Sequence, residues 1–157
     1  TYSFTGWKVG YAFARPAVTK ALRAVHQFTV FCSATPLQAG MVAALALGEG
    51  YYESLRRDYG ERRAELLRIL GQAGFKVSEA EGTYFVLAGY GDLAPGMDDL
   101  AFAIWLSETV KVAAIPISVF YEDKGKAAKL EHVRFGFCKG METLAAAEKR
   151  LAGMGRP

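Results

Sequence analysis

Residues 132–154 read HVRFGFCKGMETLAAAEKRLAGM, and inside this stretch the repeat of apolar residues changes its period. Val133, Phe135 and Phe137 alternate with Arg134, Gly136 and Cys138, which is the period of a strand with one apolar face. From Met141 onward the pattern becomes that of an amphipathic helix. A strand that runs straight into a helix sets the expectation for what precedes it. FKVSE (75–79) and TYFVLAGY (83–90) read as strands around a turn at Gly82. MDDLAFAIWLSETV (97–110) reads as a helix capped by Asp98 or Asp99. VAAIPISVF (112–120) reads as a strand interrupted by Pro116, which places it at an edge or a bulge. Residues 75–157 therefore predict a compact α+β unit.

The rest of the chain is organised differently. Residues 51–74 carry a long charged helix that ends at Gly74, with Tyr52, Leu55, Tyr59, Leu66 and Leu70 as its inward stripe. Glu53–Arg57 and Asp58–Arg62 have the spacing of i,i+4 pairs on its outer face. Before it, Trp7, Val9, Tyr11 and Phe13 alternate with Lys8, Gly10, Ala12 and Ala14, which predicts a strand over 7–14. Pro16 opens a helix that Val18, Leu22 and Val25 carry to about Gln27. FTVFCSATP (28–36) breaks it, and a second helix follows Pro36 through LQAGMVAALALG (37–48), whose small residues predict tight packing on a neighbour. One strand and two helices cannot bury their own apolar faces, so residues 1–48 need a partner surface. The predicted division is 1–48, a connecting helix over 49–74, and 75–157.

Composition narrows the function classes. The chain has 157 residues, about one domain, and is 52% hydrophobic and 22% charged, as soluble globular proteins are. The net charge of +3 is spread along the chain, without the basic run of a nucleic-acid footprint. No apolar run reaches the ~18 residues of a membrane span, and the polar, aromatic start does not read as a signal peptide. Cys32 and Cys138 lack metal-like spacing and two histidines argue against a zinc site, so the reading is reduced thiols and a cytoplasmic protein. GTYFVLAGYG (82–91) is not a dinucleotide fingerprint, and no serine sits in a nucleophile elbow.

Two cations remain. Lys8 stands beside Gly10, Ala12 and Ala14 on a nearly bare face, either as an edge-strand surface lysine or as the holder of a phosphate or carboxylate. Arg134 stands beside Gly136, either paired with an acid inside the protein or open to grip a carboxylate with two hydrogen bonds. Phe31, in a loop of small polar residues, lines a pocket or plugs the core.

TYSFTGWKVGYAFA (1–14), VHQFTVFCSATPLQAG (25–40), EGTYFVL (81–87), VAAIPISVFY (112–121) and HVRFGFCKGMETLAAAEKRL (132–151) resemble, in this order, segments of the class I/II aminotransferases of fold type I. They are most similar to the subgroup that contains kynurenine aminotransferase, glutamine transaminase K and bacterial methionine aminotransferase. The resemblance implies an α/β fold: the end of a large mixed-sheet cofactor domain, a connecting helix and a small C-terminal α+β domain. It implies pyridoxal 5'-phosphate as cofactor and a Schiff-base lysine immediately before Thr1, so that these residues would be the C-terminal part of a longer enzyme with no lysine of that role among them. It implies that Lys8 contacts the cofactor phosphate, that Arg134 binds the substrate carboxylate, and that Phe31 reaches the substrate pocket of the other subunit of a homodimer. The implied reaction is ping-pong transfer of an amino group from an aromatic, sulfur-containing or glutamine-like amino acid to a 2-oxo acid. The alternatives are a cysteine-conjugate β-lyase on the same fold, or a non-catalytic aminotransferase-like domain such as that of a transcription regulator.

Overall fold

A computed structural model describes residues 1–157, and contacts divide it into two units, Thr1–Leu55 and Arg56–Pro157. The division falls inside the long helix.

In the first unit a single 3-10 turn, Thr5–Trp7, precedes two helices, α1 (Pro16–Thr29) and α2 (Thr35–Leu45). Pro16 occupies the first turn of α1, where its missing N–H costs nothing. The strand expected over 7–14 does not form. A strand is held by a ladder to a neighbour, and within this chain nothing pairs with these residues. Trp7 instead packs on α2 at Gly40, where a Cβ would come within 2.6 Å of the indole ring, so the small residues of α2 do admit a close neighbour. Tyr2, Tyr51 and Tyr52 cluster nearby: Tyr51 donates from its hydroxyl to the Thr1 carbonyl at 2.6 Å, and the Tyr2 and Tyr52 hydroxyls lie 2.7 Å apart. That hydrogen bond to Tyr52 is the main reason the Tyr2 hydroxyl is pushed up to about 12.

The long helix α3 runs Glu49–Gln72. It stops where the sequence says it should. Gly74 takes φ +91°, and the Phe75 N–H reaches back to the Leu70 carbonyl at 3.0 Å, the closing bond of a glycine-terminated helix.

The second unit holds four antiparallel strands: β1 (Lys76–Val77), β2 (Phe85–Gly89), β3 (Ile115–Pro116) and β4 (His132–Gly136), in the order β1-β2-β4-β3. Helices α4 (Asp99–Trp105), α5 (Lys124–Ala128) and α6 (Met141–Ala152) complete it. Asp98 rather than Asp99 caps α4, accepting from the Ala101 N–H at 2.8 Å. Past Trp105 the helix widens into a π turn, Leu106–Val110, so the helical span matches the 97–110 expectation with a different last turn. The stretch around Pro116 contributes only two residues of ladder, at the sheet edge, before a 3-10 turn, Ile117–Phe120; proline has no N–H to extend the pairing. The one-turn α5 is a helix the sequence pattern does not announce.

The core of this unit is built from Leu66, Ile69 and Leu70 of α3, Val86 and Ala88 of β2, Val133 and Phe135 of β4, Phe102 and Leu106, and Leu144 and Leu151 of α6. Phe102 stacks on Tyr90 with ring centroids 3.9 Å apart. The Tyr90 hydroxyl donates to the Met97 carbonyl at 2.9 Å, and burial, seconded by the charge of Asp99, pushes its pKa up.

Candidate functional site

Strand β4 sorts its side chains as its alternation requires. Val133, Phe135 and Phe137 are buried, while Arg134 is half-buried on the opposite face with Gly136 and Cys138 exposed beyond it. The register sets Arg134 opposite Leu87 of β2 and Ile115 of β3, which puts Phe85, two residues from Leu87 on the same face, at the diagonal position. The guanidinium carbon of Arg134 lies 4.4 Å from the centre of the Phe85 ring and 4.5 Å from that of Phe120. Both contacts are of the cation–π kind.

No acid pairs with Arg134. Among the carboxylates of the second unit, Asp58 pairs with Arg57, Glu79 with Arg63, Glu65 and Glu148 with Arg68, and Asp92 with Lys76. The internal ion pair that the sequence left open is therefore not the arrangement adopted. A Cβ on Gly136 would meet Cys138 Sγ only at 3.8 Å, so this glycine leaves room beside Arg134 rather than relieving a clash.

Arg134 borders a cavity of about 740 Å3. Apolar side chains, among them Ala114, Ile115, Ala147 and Leu151, line most of it, and Lys111, Lys139 and Arg150 add positive charge against the single carboxylate of Glu142. Arg150 is partly engaged, donating to the Lys111 carbonyl at 2.7 Å. An apolar hollow with a few convergent cations suits a small ligand with an anionic group.

Lys8 and Phe31 belong to the first unit. Lys8 ends the 3-10 turn at φ 54° and is exposed, so it is not one of a row of side chains on a strand face. Its ammonium makes no ion pair, and positions where Cβ atoms would stand on Gly6 and Gly10 are open on both sides. One free lysine between two open glycines fits a phosphate oxygen, as a point charge and not as a full cradle. Phe31 is neither of the core nor shielded. It sits at φ 67° between α1 and α2, 77% exposed, beside a cavity of about 500 Å3 that Val9, Tyr11, His26 and Met41 also line. Within this chain Phe31 does not plug a core.

The sequence assigns no role to either aromatic neighbour of Arg134, although the resemblance puts Phe120 in a segment near the site. Alternation places Phe85 on a face of its own strand, but only the β2–β4 register makes that face the one Arg134 occupies. Phe120 follows the Pro116 break, where no period applies. Cys32 and Cys138 are free thiols. No group of histidine, cysteine and carboxylate side chains could hold a metal ion, and no helix is long and apolar enough to cross a membrane.

Comparison with known proteins places these residues in context. The family described as Aminotransferase class I and II matches residues 1–149. The chain is 38% identical over 151 residues to the methionine aminotransferase of Escherichia coli (strain K12), covering 96% of this chain and 38% of that protein. It is 32% identical over 164 residues to kynurenine–oxoglutarate transaminase 3 of Homo sapiens, covering 95% and 36%. Among solved structures, that of an Escherichia coli protein with a methionine aminotransferase function superposes with a TM-score of 0.85 at 35% identity, covering 96% of this chain and 38% of the other. N-Succinyldiaminopimelate aminotransferase from Mycobacterium tuberculosis gives 0.85 at 36% identity, covering 94% and 38%. The chain thus spans well under half the length of the relatives it matches.

Proposed function

The chain belongs to the class I and II aminotransferases, of fold type I, and from that premise we propose that it is the C-terminal part of an enzyme that moves an amino group between an amino acid and a 2-oxo acid. The family generally works with pyridoxal 5'-phosphate, which when bound supplies an electron sink for the bond broken at the amino acid's Cα. The residues of this chain contribute binding and orientation. Arg134 takes the substrate carboxylate, and Lys8 takes a phosphate oxygen of the cofactor. Holding a substrate by its carboxylate fixes which bond at Cα faces the reacting partner, which is where an enzyme of this kind gains rate by orientation. The observation that carries the reading is the unpaired guanidinium of Arg134 beside an apolar cavity.

The relatives named for methionine and kynurenine, together with Phe31 and the apolar lining near Arg134, favour aromatic, sulfur-containing or glutamine-like amino acids. Residues 1–48 close a large cofactor domain, 49–74 connect it, and 75–157 form the small domain. The exposed apolar side chains of the first unit are covered by the rest of the enzyme and by a second copy in a homodimer, where Phe31 lines the partner's pocket. Exposed thiols at Cys32 and Cys138 suit the reducing cytoplasm.

The test is Arg134→Ala in the full-length enzyme. Loss of a two-point, charge-assisted contact raises KM for amino acids roughly 100-fold, while the cofactor's absorbance spectrum stays as in the parent. If KM is unchanged, Arg134 does not hold the carboxylate and the reading fails.

A further inference from the structure

We propose that Phe85 and Phe120 are positioning residues for Arg134, holding its guanidinium in place with the N–H groups left free for a ligand carboxylate. The inference rests on the carboxylate role given to Arg134 above.

An arginine side chain has many rotamers, and ordering it at the moment of binding costs affinity. Something must hold it beforehand if the site is to be ready. An acid would do so most tightly, but it would occupy the N–H groups that the ligand needs, and no acid pairs with Arg134. Aromatic rings solve this differently. They attract the cation through the π face and offer no oxygen acceptor. The guanidinium carbon is 4.4 Å from one ring centre and 4.5 Å from the other, and no hydrogen bond engages its N–H groups within this chain.

The two rings come from independent elements, and each is fixed by its own backbone. Phe85 lies on β2, where the Phe85–Gly136 pairing sets its place on the sheet. Phe120 ends the 3-10 turn Ile117–Phe120, and that turn is tied to the neighbouring helix. The Ser118 N–H donates to Asp99 Oδ2 at 2.7 Å, and Asp99 is only 1% exposed, at the first position of α4. Its other oxygen, Oδ1, has no partner. A carboxylate buried with only half its acceptors used is costly, and its one tie is to the turn that delivers Phe120. Asp99 therefore supports Phe120, and Phe120 supports Arg134. Neither ring is a core residue: Phe120 is 57% exposed and Phe85 is half-buried, so shortening either does not empty the core.

The experiment uses the full-length holoenzyme with Phe85→Leu, Phe120→Leu, the matching Tyr variants and Arg134→Ala. Two things are measured: the Kd of the unreactive carboxylate 3-phenylpropionate, and KM and kcat for an amino acid beside the rate with its decarboxylated amine. Each Leu variant is expected to weaken 3-phenylpropionate roughly 3- to 10-fold, with the loss falling in KM, the amine rate following the parent, and Tyr restoring binding. If Arg134→Ala weakens the carboxylate strongly while the Leu variants shift it less than twofold, the positioning role is wrong and the carboxylate role stands. Equal losses for amine and amino acid also overturn the positioning role, since the rings would then only line the pocket. If Arg134→Ala itself leaves carboxylate binding unchanged, the carboxylate role fails and takes this inference with it.

Discussion

Phe28 and Phe102 are the same residue type in opposite circumstances. Phe28 stands on α1 with 84% of its surface exposed; Phe102 stands on α4 with none exposed, stacked on Tyr90 and edge-on to Phe75. The contrast holds for the two units as wholes. Not one residue of Thr1–Leu55 is buried, and Phe13, Val25 and Val42 face outward with Phe28. Arg56–Pro157 carries a closed core of sheet and helices. Burying a large apolar side chain is worth about 1.5–3 kcal/mol, and only the second unit collects that gain from its own residues. The consequence reaches the two candidate cations. Arg134 lies against two rings within its own unit, while Lys8 is exposed at the end of a 3-10 turn.

The most forceful way to break this comparison is to truncate both phenylalanines. In the 157-residue chain, Phe102→Ala should cost about 4 kcal/mol, from lost burial and the cavity left behind. Phe28→Ala should stay within about 0.5 kcal/mol. In the full-length protein Phe28→Ala should become costly too if the partner surface proposed for α1 covers it. Denaturant unfolding of both variants in both contexts measures this. A full-length Phe28→Ala as stable as its parent would mean that α1 stays uncovered, and the partner surface proposed for it does not exist.

The same contrast explains what the sequence could convey. Signals that act over a few residues were legible: Pro16 at the start of α1, Gly74 at the end of α3, a capping aspartate before α4, and the two faces of β4. Signals that depend on a distant neighbour were not. The alternation of residues 7–14 is a strand pattern, but a strand needs a second strand, and this chain provides none there. VAAIPISVF looked like nine residues of strand because its composition is right, yet Pro116 leaves only Ile115 and Pro116 in the ladder. The site divides in the same way. Arg134 and its open face follow from alternation on one strand. Phe85 and Phe120 reach it through sheet register and through a turn tied by Asp99, neither of which a single stretch of sequence encodes.

A smaller effect sharpens the contrast at the cations. Lys8→Ala in the full-length enzyme should weaken retention of pyridoxal phosphate roughly 10-fold, the scale of one exposed point charge on a phosphate. Equilibrium dialysis followed by cofactor absorbance reads it. Carboxylate binding at Arg134 should not change, because Arg134 is ordered by its own unit. A Lys8→Ala enzyme that keeps the parent's cofactor affinity would remove Lys8 from the phosphate site.

The smallest effect concerns a charge cluster that links two helices of the second unit. Arg68 of α3 binds Glu65 of the same helix at 2.7 Å and Glu148 of α6 at 2.6 Å. The hydrogen bond from Arg68 holds the Glu65 carboxyl below its ordinary value. A carboxyl with a lowered folded-state pKa binds fewer protons in the folded than in the unfolded protein. Its contribution is therefore fully present above the ordinary value of 4.5 and is lost as pH falls through the lower folded value. The cluster is exposed, so the effect is small and screened by salt. Thermal unfolding of the chain should show a modest loss of stability below pH 4.5 that Glu65→Gln reduces and high salt masks. An acid slope unchanged in Glu65→Gln at low salt would mean that Arg68 spends itself on Glu148 alone.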